Sequence, residues 1–281
     1  MSITRRGLLR SAGAMLAAGA WAERLWAGPP PLEGIRIGSC TVGFDDAQRA
    51  GLDGVELRVG GAADRLEIAD SAVRRRHKEK MKETGLVVSS LMMGLLNSYP
   101  LASDPRGPAW LEQSIEAAAD LGAKVILVAF FGRGDLLAGD QLKQKDADVV
   151  VERLRAAAPA ARQAGVTLAI ENYLSARQNL ELIERIGHEA VRVYYDVRNS
   201  TDKGYNPAEE ILLLKDHIVQ FHFKDGANYL GEGKVDWPAA VGAIRRIGYR
   251  GWIVLETSSP SGDSAADARR NAERIRKWFV G

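Results

Sequence analysis

Cysteine is almost missing from this chain. Cys40 is the only one among 281 residues, so no disulfide framework can form within it. Histidine is scarce too, with four residues, and only His222 falls at the end of a predicted strand, where a multi-metal cluster would need several. Charge of one sign is lacking: 38 basic residues against 36 acidic give a net charge of +2, and no basic footprint of a nucleic-acid binder. No G-x-G-x-x-G follows the first predicted strand and no P-loop occurs, which removes support for dinucleotide and nucleotide folds. The apolar run from Ser11 to Ala22 is shorter than the ~20 residues that span a bilayer. What remains is 46% hydrophobic and 26% charged, a composition that is neither disordered nor fibrous. The length suits one or two domains, or a single α/β barrel of about 250 residues.

The first residues read as an address. Thr4-Arg5-Arg6-Gly7-Leu8-Leu9-Arg10 precedes the small apolar run, and Ala20-Trp21-Ala22 and Ala27 offer cleavage sites. A basic start, a short apolar middle and small residues at a cut make a signal peptide, and paired arginines make it of twin-arginine type. The expectation is a signal over 1–27, a linker over 28–33 with Pro29-Pro30-Pro31, and the folded domain over 34–281. It carries with it the twin-arginine translocase as partner and a periplasmic location. That route exports folded proteins, which suits an enzyme that acquires its cofactor inside the cell. Cys40 lies too far from the apolar run to be a lipoprotein cysteine.

From Ile35 onward, short Val/Ile/Leu/Phe runs alternate with amphipathic stretches. Strands are predicted at 35–40, 54–57, 87–92, 125–130, 167–172, 192–197, 219–224 and 252–257, continuous apolar runs as parallel strands covered on both faces require. Helical patterns at 70–84, 108–121, 145–164, 176–186 and 237–247 each meet a glycine at or just past the end, as a left-handed C-cap demands, and a last helix covers 265–280. Eight β-then-α units predict a (β/α)8 barrel of the TIM type, with a doubly wound open sheet as the alternative.

Barrel chemistry sits at the C-terminal ends of the strands. Strands five to eight end in Glu171, Asp196, His222 and Glu256, each one βα unit after the last. They are therefore expected on neighbouring strands at one level. Three carboxylates converging in an apolar barrel would repel, and a divalent cation removes that conflict. Three oxygens and one imidazole suit Mn²⁺, Mg²⁺, Co²⁺ or Zn²⁺. A single Glu or His at a strand end is usually a cap or a satisfied polar residue; four in succession are not expected by chance.

These residues also carry a resemblance. Ala50-Gly51-Leu52-Asp53-Gly54-Val55-Glu56-Leu57, Ile170-Glu171-Asn172, Asp196-Val197-Arg198-Asn199, His222-Phe223-Lys224-Asp225, Gly231-Glu232-Gly233-Lys234-Val235-Asp236-Trp237 and Leu255-Glu256-Thr257 resemble the xylose isomerase-like family of sugar isomerases and epimerases. The resemblance runs from about residue 34 to 280. It implies a TIM barrel in which Glu171, Asp196, His222 and Glu256 bind one divalent metal, Mn²⁺ first among the candidates, and in which Glu171 and Glu256 do the acid/base work. It also implies a homo-oligomer whose partner narrows the barrel mouth. Where the ketose 3-epimerase branch carries His, Arg and Glu, this chain has Asn199, Asn228 and Arg177, departures that argue against a free ketose but leave metal binding intact.

Two glutamates flanking a polarised carbonyl can remove a proton and return it on the other face, to the next carbon, or with loss of a β-hydroxyl. The ligand set thus permits epimerisation, isomerisation or dehydration of a keto-sugar, an inosose-like ring or a dehydroshikimate-like substrate. Lys224, on the inward face with His222, is a candidate for binding a hydroxyl or anion, or for pairing with a carboxylate. Glu56 is a candidate pocket-lining or bracing residue, Arg133 a candidate anion contact, and Asn172 and Asn199 candidate donors around the substrate. The loop with Asn97 and Tyr99 is placed to cover the pocket. A non-catalytic periplasmic sugar binder would need no facing glutamates, and a barrel endonuclease would need more histidines and a basic surface.

Overall fold

The computed structural model describes residues 34–279. The predicted signal (1–27) and linker (28–33) lie outside the described residues. Eight parallel strands form a closed barrel: β1 (Ile35–Ser39), β2 (Gly54–Arg58), β3 (Val87–Met93), β4 (Val125–Ala129), β5 (Thr167–Glu171), β6 (Val191–Asp196), β7 (Ile218–Phe223) and β8 (Gly251–Leu255). The seam is made by β1 and β8, from Ile35 opposite Gly251 to Ser39 opposite Leu255. The barrel, not the open sheet, is the outcome, and its strands fall within one or two residues of the predicted bounds.

Strand residues alternate between two cores. Ile126 and Val128 of β4, Leu168 and Ile170 of β5, and Phe221 and Phe223 of β7 join the cluster that packs under the helices. Val125, Leu127, Ala129, Ala169, Met92 and Tyr194 fill the barrel lumen as a separate apolar cluster. Both faces are buried, which is why these strands read as continuous apolar runs.

Helices α1 (Phe44–Ala50), α2 (Ser71–Thr84), α3 (Gly107–Leu121), α4 (Gln144–Gln163) and α5 (Ala176–Ile186) follow the first five strands. Gly85 and Gly122 terminate α2 and α3 with φ of 74° and 77°, the left-handed turn that glycine enters without a Cβ penalty. After β6 come two short helices, α6 (Val197–Asp202) and α7 (Pro207–Leu214), then α8 (Trp237–Arg246) and α9 (Ser264–Phe279). The short α1, α6 and α7 and a two-stranded hairpin of Leu137–Ala138 with Gln141–Leu142 have no counterpart among the predicted elements; each is too brief to show a clear helical or alternating period. No helix among the described residues is long and apolar enough to cross a membrane.

Candidate active site

Register brings the predicted ligands level. A shift between Val193 and Tyr194 sets Tyr194 opposite Gln220 and Asp196 opposite His222. Glu171 ends β5, level with Ala129 of β4, and Glu256 follows the last residue of β8. Glu171, Asp196, His222 and Glu256 each offer one ligand atom, and these atoms lie within 4.8 Å of one another. His222 Nδ1 is 3.1 Å from Glu171 Oε1 and 3.4 Å from Glu256 Oε2. Lys224 Nζ donates to Glu256 Oε2 at 2.6 Å and faces Asp196 Oδ2 at 3.2 Å.

The cluster's electrostatics are strained without a further cation. Asp196 spends Oδ1 on the Asn199 backbone N–H at 2.6 Å, capping α6, while its buried Oδ2 takes no hydrogen bond. Burial pushes the Glu171 carboxyl up to about 7, against the pull of His222. Burial also raises the Asp196 carboxyl, which Lys224 only partly offsets. For Glu256 burial acts upward as well, but His222 and Lys224 outweigh it and hold the carboxyl below its usual range. Burial would lower His222, yet the carboxylates of Glu171, Glu56 and Glu256 raise it well above the ordinary imidazole value. Lys224 is held protonated in the same way, by Asp196, Glu256 and Glu171 against its own burial. Three carboxylates around an imidazole, one with a buried oxygen that meets only the Lys224 ammonium at 3.2 Å, match the donor set of a divalent cation. Glu171, Asp196, His222 and Glu256 would hold it.

Glu56 lies elsewhere than at the pocket wall. Its side chain is wholly buried behind His222: Oε1 is 3.0 Å from Nε2 of the ring, and Oε2 accepts from Ser90 Oγ at 2.6 Å and Tyr194 OH at 3.0 Å. Gln220 in turn donates to Ser90 Oγ and to Tyr194 OH, closing a polar network across the lumen. Cys40 stands beside it, forming with Glu56 and His222 a second group of close donor atoms on the far side of the same ring, its thiol pushed up to about 11 by burial. Ser90, Tyr194 and Gln220 went unread in the sequence. The available signal was polar residues spaced two apart from a ligand in apolar strands, as Gln220 is from His222.

The other candidates fall at varied distances from the chemistry. Asn199 acts through its backbone on Asp196. Asn172 donates to Asn179 Oδ1 and accepts from Leu174 N, so its amide shapes the turn into α5. Arg133 is exposed in a 3₁₀ turn after β4, and Asn97 anchors the same segment by accepting from Phe131 N. The mouth is walled by two fixed loops. Asp225 accepts from the backbone N–H groups of Gly231, Gly233 and Val235 and from Trp237 Nε1, pinning the β7–α8 loop. Asp267 of α9 accepts from Tyr229 OH and from Ser259 and Ser261, tying that loop to the β8–α9 loop.

The same architecture recurs among solved structures. The D-allulose 3-epimerase of Methylomonas sp. superposes with a TM-score of 0.72 at 18% identity, over 88% of this chain and 99% of that one. The 3-keto-D-glucoside 4-epimerase of E. coli gives 0.71 at 19% identity, over 86% and 99%. In sequence, the chain is similar to the 2-epi-5-epi-valiolone 7-phosphate 2-epimerase of Actinoplanes sp. (28% identity, 71% of this chain and 73% of that protein). It is similar also to the L-ribulose-5-phosphate 3-epimerase of Salmonella paratyphi C (26% identity, 92% of each). Residues 44–278 match the model of the xylose isomerase-like TIM barrel, and the chain belongs to that family.

Proposed function

We propose that this protein is a divalent-metal-dependent sugar isomerase or epimerase. It moves a proton beside the carbonyl of a keto-sugar or related polyol derivative through an enediolate. The observation that carries the reading is the convergence of Glu171, Asp196, His222 and Glu256 from four successive strands. A bound cation, with Mn²⁺ the first candidate, supplies polarisation of the carbonyl and charge stabilisation of the enediolate. Glu171 and Glu256 stand on non-adjacent strands on either side of His222 and would serve the two faces of the carbon. One takes the proton and the other delivers one, and their environments drive their acidities apart in the way that divides acid from base. Lys224 holds Glu256 by a hydrogen bond and presents its remaining N–H groups to a substrate oxygen. The similarity to epimerases of sugar and cyclitol phosphates supports the substrate class. The reading includes export of the folded enzyme through residues 1–27, on the strength of Arg5-Arg6 and the apolar run behind them.

The test is solvent-deuterium incorporation into a panel of keto-sugars, their phosphates and inososes with added Mn²⁺. Label at the carbon beside the carbonyl, lost in Glu171→Gln and Glu256→Gln, is the expected result. Loss of water from the same compounds would assign a lyase instead, and no exchange by metal-loaded protein would count against the proposal.

A further inference from the structure

Three features outside the ligand cluster invite a role: the loop knots at Asp225 and Asp267, the Cys40–Glu56–His222 group, and the buried network around Glu56. The knots are fully explained as loop anchors. The other two share one imidazole, and their geometry decides between them.

We infer that Glu56 is a positioning residue that acts through His222, fixing the ring so that Nδ1 faces the cation. This rests on the metal-site reading above. His222 is wholly buried between carboxylates at both ring nitrogens, Glu56 at Nε2 and Glu171 with Glu256 at Nδ1. A hydrogen bond from Nε2–H to Glu56 leaves the Nδ1 lone pair aimed into the ligand cluster, and fixes tautomer and ring angle together. Glu56 is itself immobilised. Ser90 and Tyr194 hold its second oxygen, Gln220 holds both of those hydroxyls, and every one of these side chains is buried. The Tyr194 ring also packs against the imidazole, with centroids 4.4 Å apart. Four strands, β2, β3, β6 and β7, thus contribute to aiming one nitrogen. The competing reading, in which Glu56 and Cys40 are ligands of a cation on the Nε2 side, leaves Glu56 only Oε1 to give, since Ser90 and Tyr194 hold Oε2, and offers one further donor, the Cys40 sulfur, against the four donors that converge on the Nδ1 side.

The experiment is calorimetric titration of Mn²⁺ into chelator-stripped full-length protein. Glu56→Gln is expected to weaken Mn²⁺ binding about 10- to 100-fold. Tyr194→Phe, which removes one anchor of Glu56 and keeps the ring, is expected to weaken it about threefold. Cys40→Ser is expected to bind as the parent does. At saturating Mn²⁺ the deuterium-exchange rate of Glu56→Gln recovers toward that of the parent with KM unchanged, which a fold defect would not allow. A parent that takes up no Mn²⁺ refutes the metal-site reading itself. A parent that binds, with Glu56→Gln and Tyr194→Phe folded and binding equally well, refutes only the role of Glu56. Equal losses in Cys40→Ser and Glu56→Gln would place the cation on the Nε2 side and overturn the inference. Should Glu56→Gln fail to fold, Tyr194→Phe carries the test.

Discussion

Lys224 places its ammonium among the clustered carboxylates, and replacing it with methionine tests the electrostatic picture directly. Its ammonium lies 2.6 Å from Glu256 Oε2 and 3.2 Å from Asp196 Oδ2. The Glu256 side chain is 32% exposed, so water screens much of that pair, whereas Asp196 is 1% exposed and would be stranded. Removing one partner of a buried pair costs about 3–5 kcal/mol. Since the Lys224 side chain is itself 22% exposed, the lower end applies, about 3 kcal/mol. For a domain of this size each kcal/mol moves the midpoint of thermal unfolding by about 2–4 °C. Metal-free Lys224→Met should therefore melt about 6–12 °C below the metal-free parent. A cation bound by the same carboxylates takes over the role of the ammonium, so Mn²⁺ should close most of that gap. Full closure corresponds to metal binding about 100-fold tighter in the variant than in the parent. The assay is thermal denaturation of both proteins in chelator and in excess Mn²⁺. An equal gap in both conditions would refute the idea that lysine and metal compete for the same negative charge.

Further expectations follow from the same geometry. Glu171→Gln and Glu256→Gln should each lower the exchange rate about 10²- to 10⁴-fold with melting temperatures near that of the parent, measured by deuterium incorporation and circular dichroism. Gly233→Ala should lower the melting temperature by about 3 °C or more, because the added Cβ would overlap the Asp225 carboxylate and sit 2.6 Å from its carbonyl oxygen. Burial would raise the Asp267 carboxyl, but hydrogen bonds from Ser259, Tyr229 and Ser261 draw it down to about 2. A depressed carboxylate stabilises the fold above the unfolded-state value and loses that contribution as pH falls through the native one. The melting gap between the parent and Asp267→Asn should therefore be full at neutral pH and shrink between about pH 4 and pH 2.

The convergence of the four candidate ligands was legible because a barrel converts chain order into spatial order. Once the strand ends were found, Glu171, Asp196, His222 and Glu256 had to be neighbours. Nothing similar reveals Glu56 as the partner of His222, since β2 and β7 are separated by β1 and β8 in the barrel and the residues lie 166 apart in sequence. Only the closure of β1 onto β8 brings the two strands within hydrogen-bond reach. Asn172 is a candidate donor around the substrate by sequence, yet one step along a strand reverses the side chain, and its amide bonds Asn179 of α5 and the Leu174 N–H. The short α6 carries no periodic signal of its own; it exists because Asp196, a residue read only as a ligand, also caps it.

The pinning of residues 231–237 to a single carboxylate has a consequence for how this protein can change. Asp225 supplies the loop's internal scaffolding within the chain itself, so the segment after Lys224 does not have to be ordered by a guest. Asn228 belongs to the same frame, since its backbone N–H and its side-chain amide both donate to the Asp225 carbonyl. Changes elsewhere in the segment that spare Asp225, Asn228 and the four partners of the carboxylate would leave that frame in place.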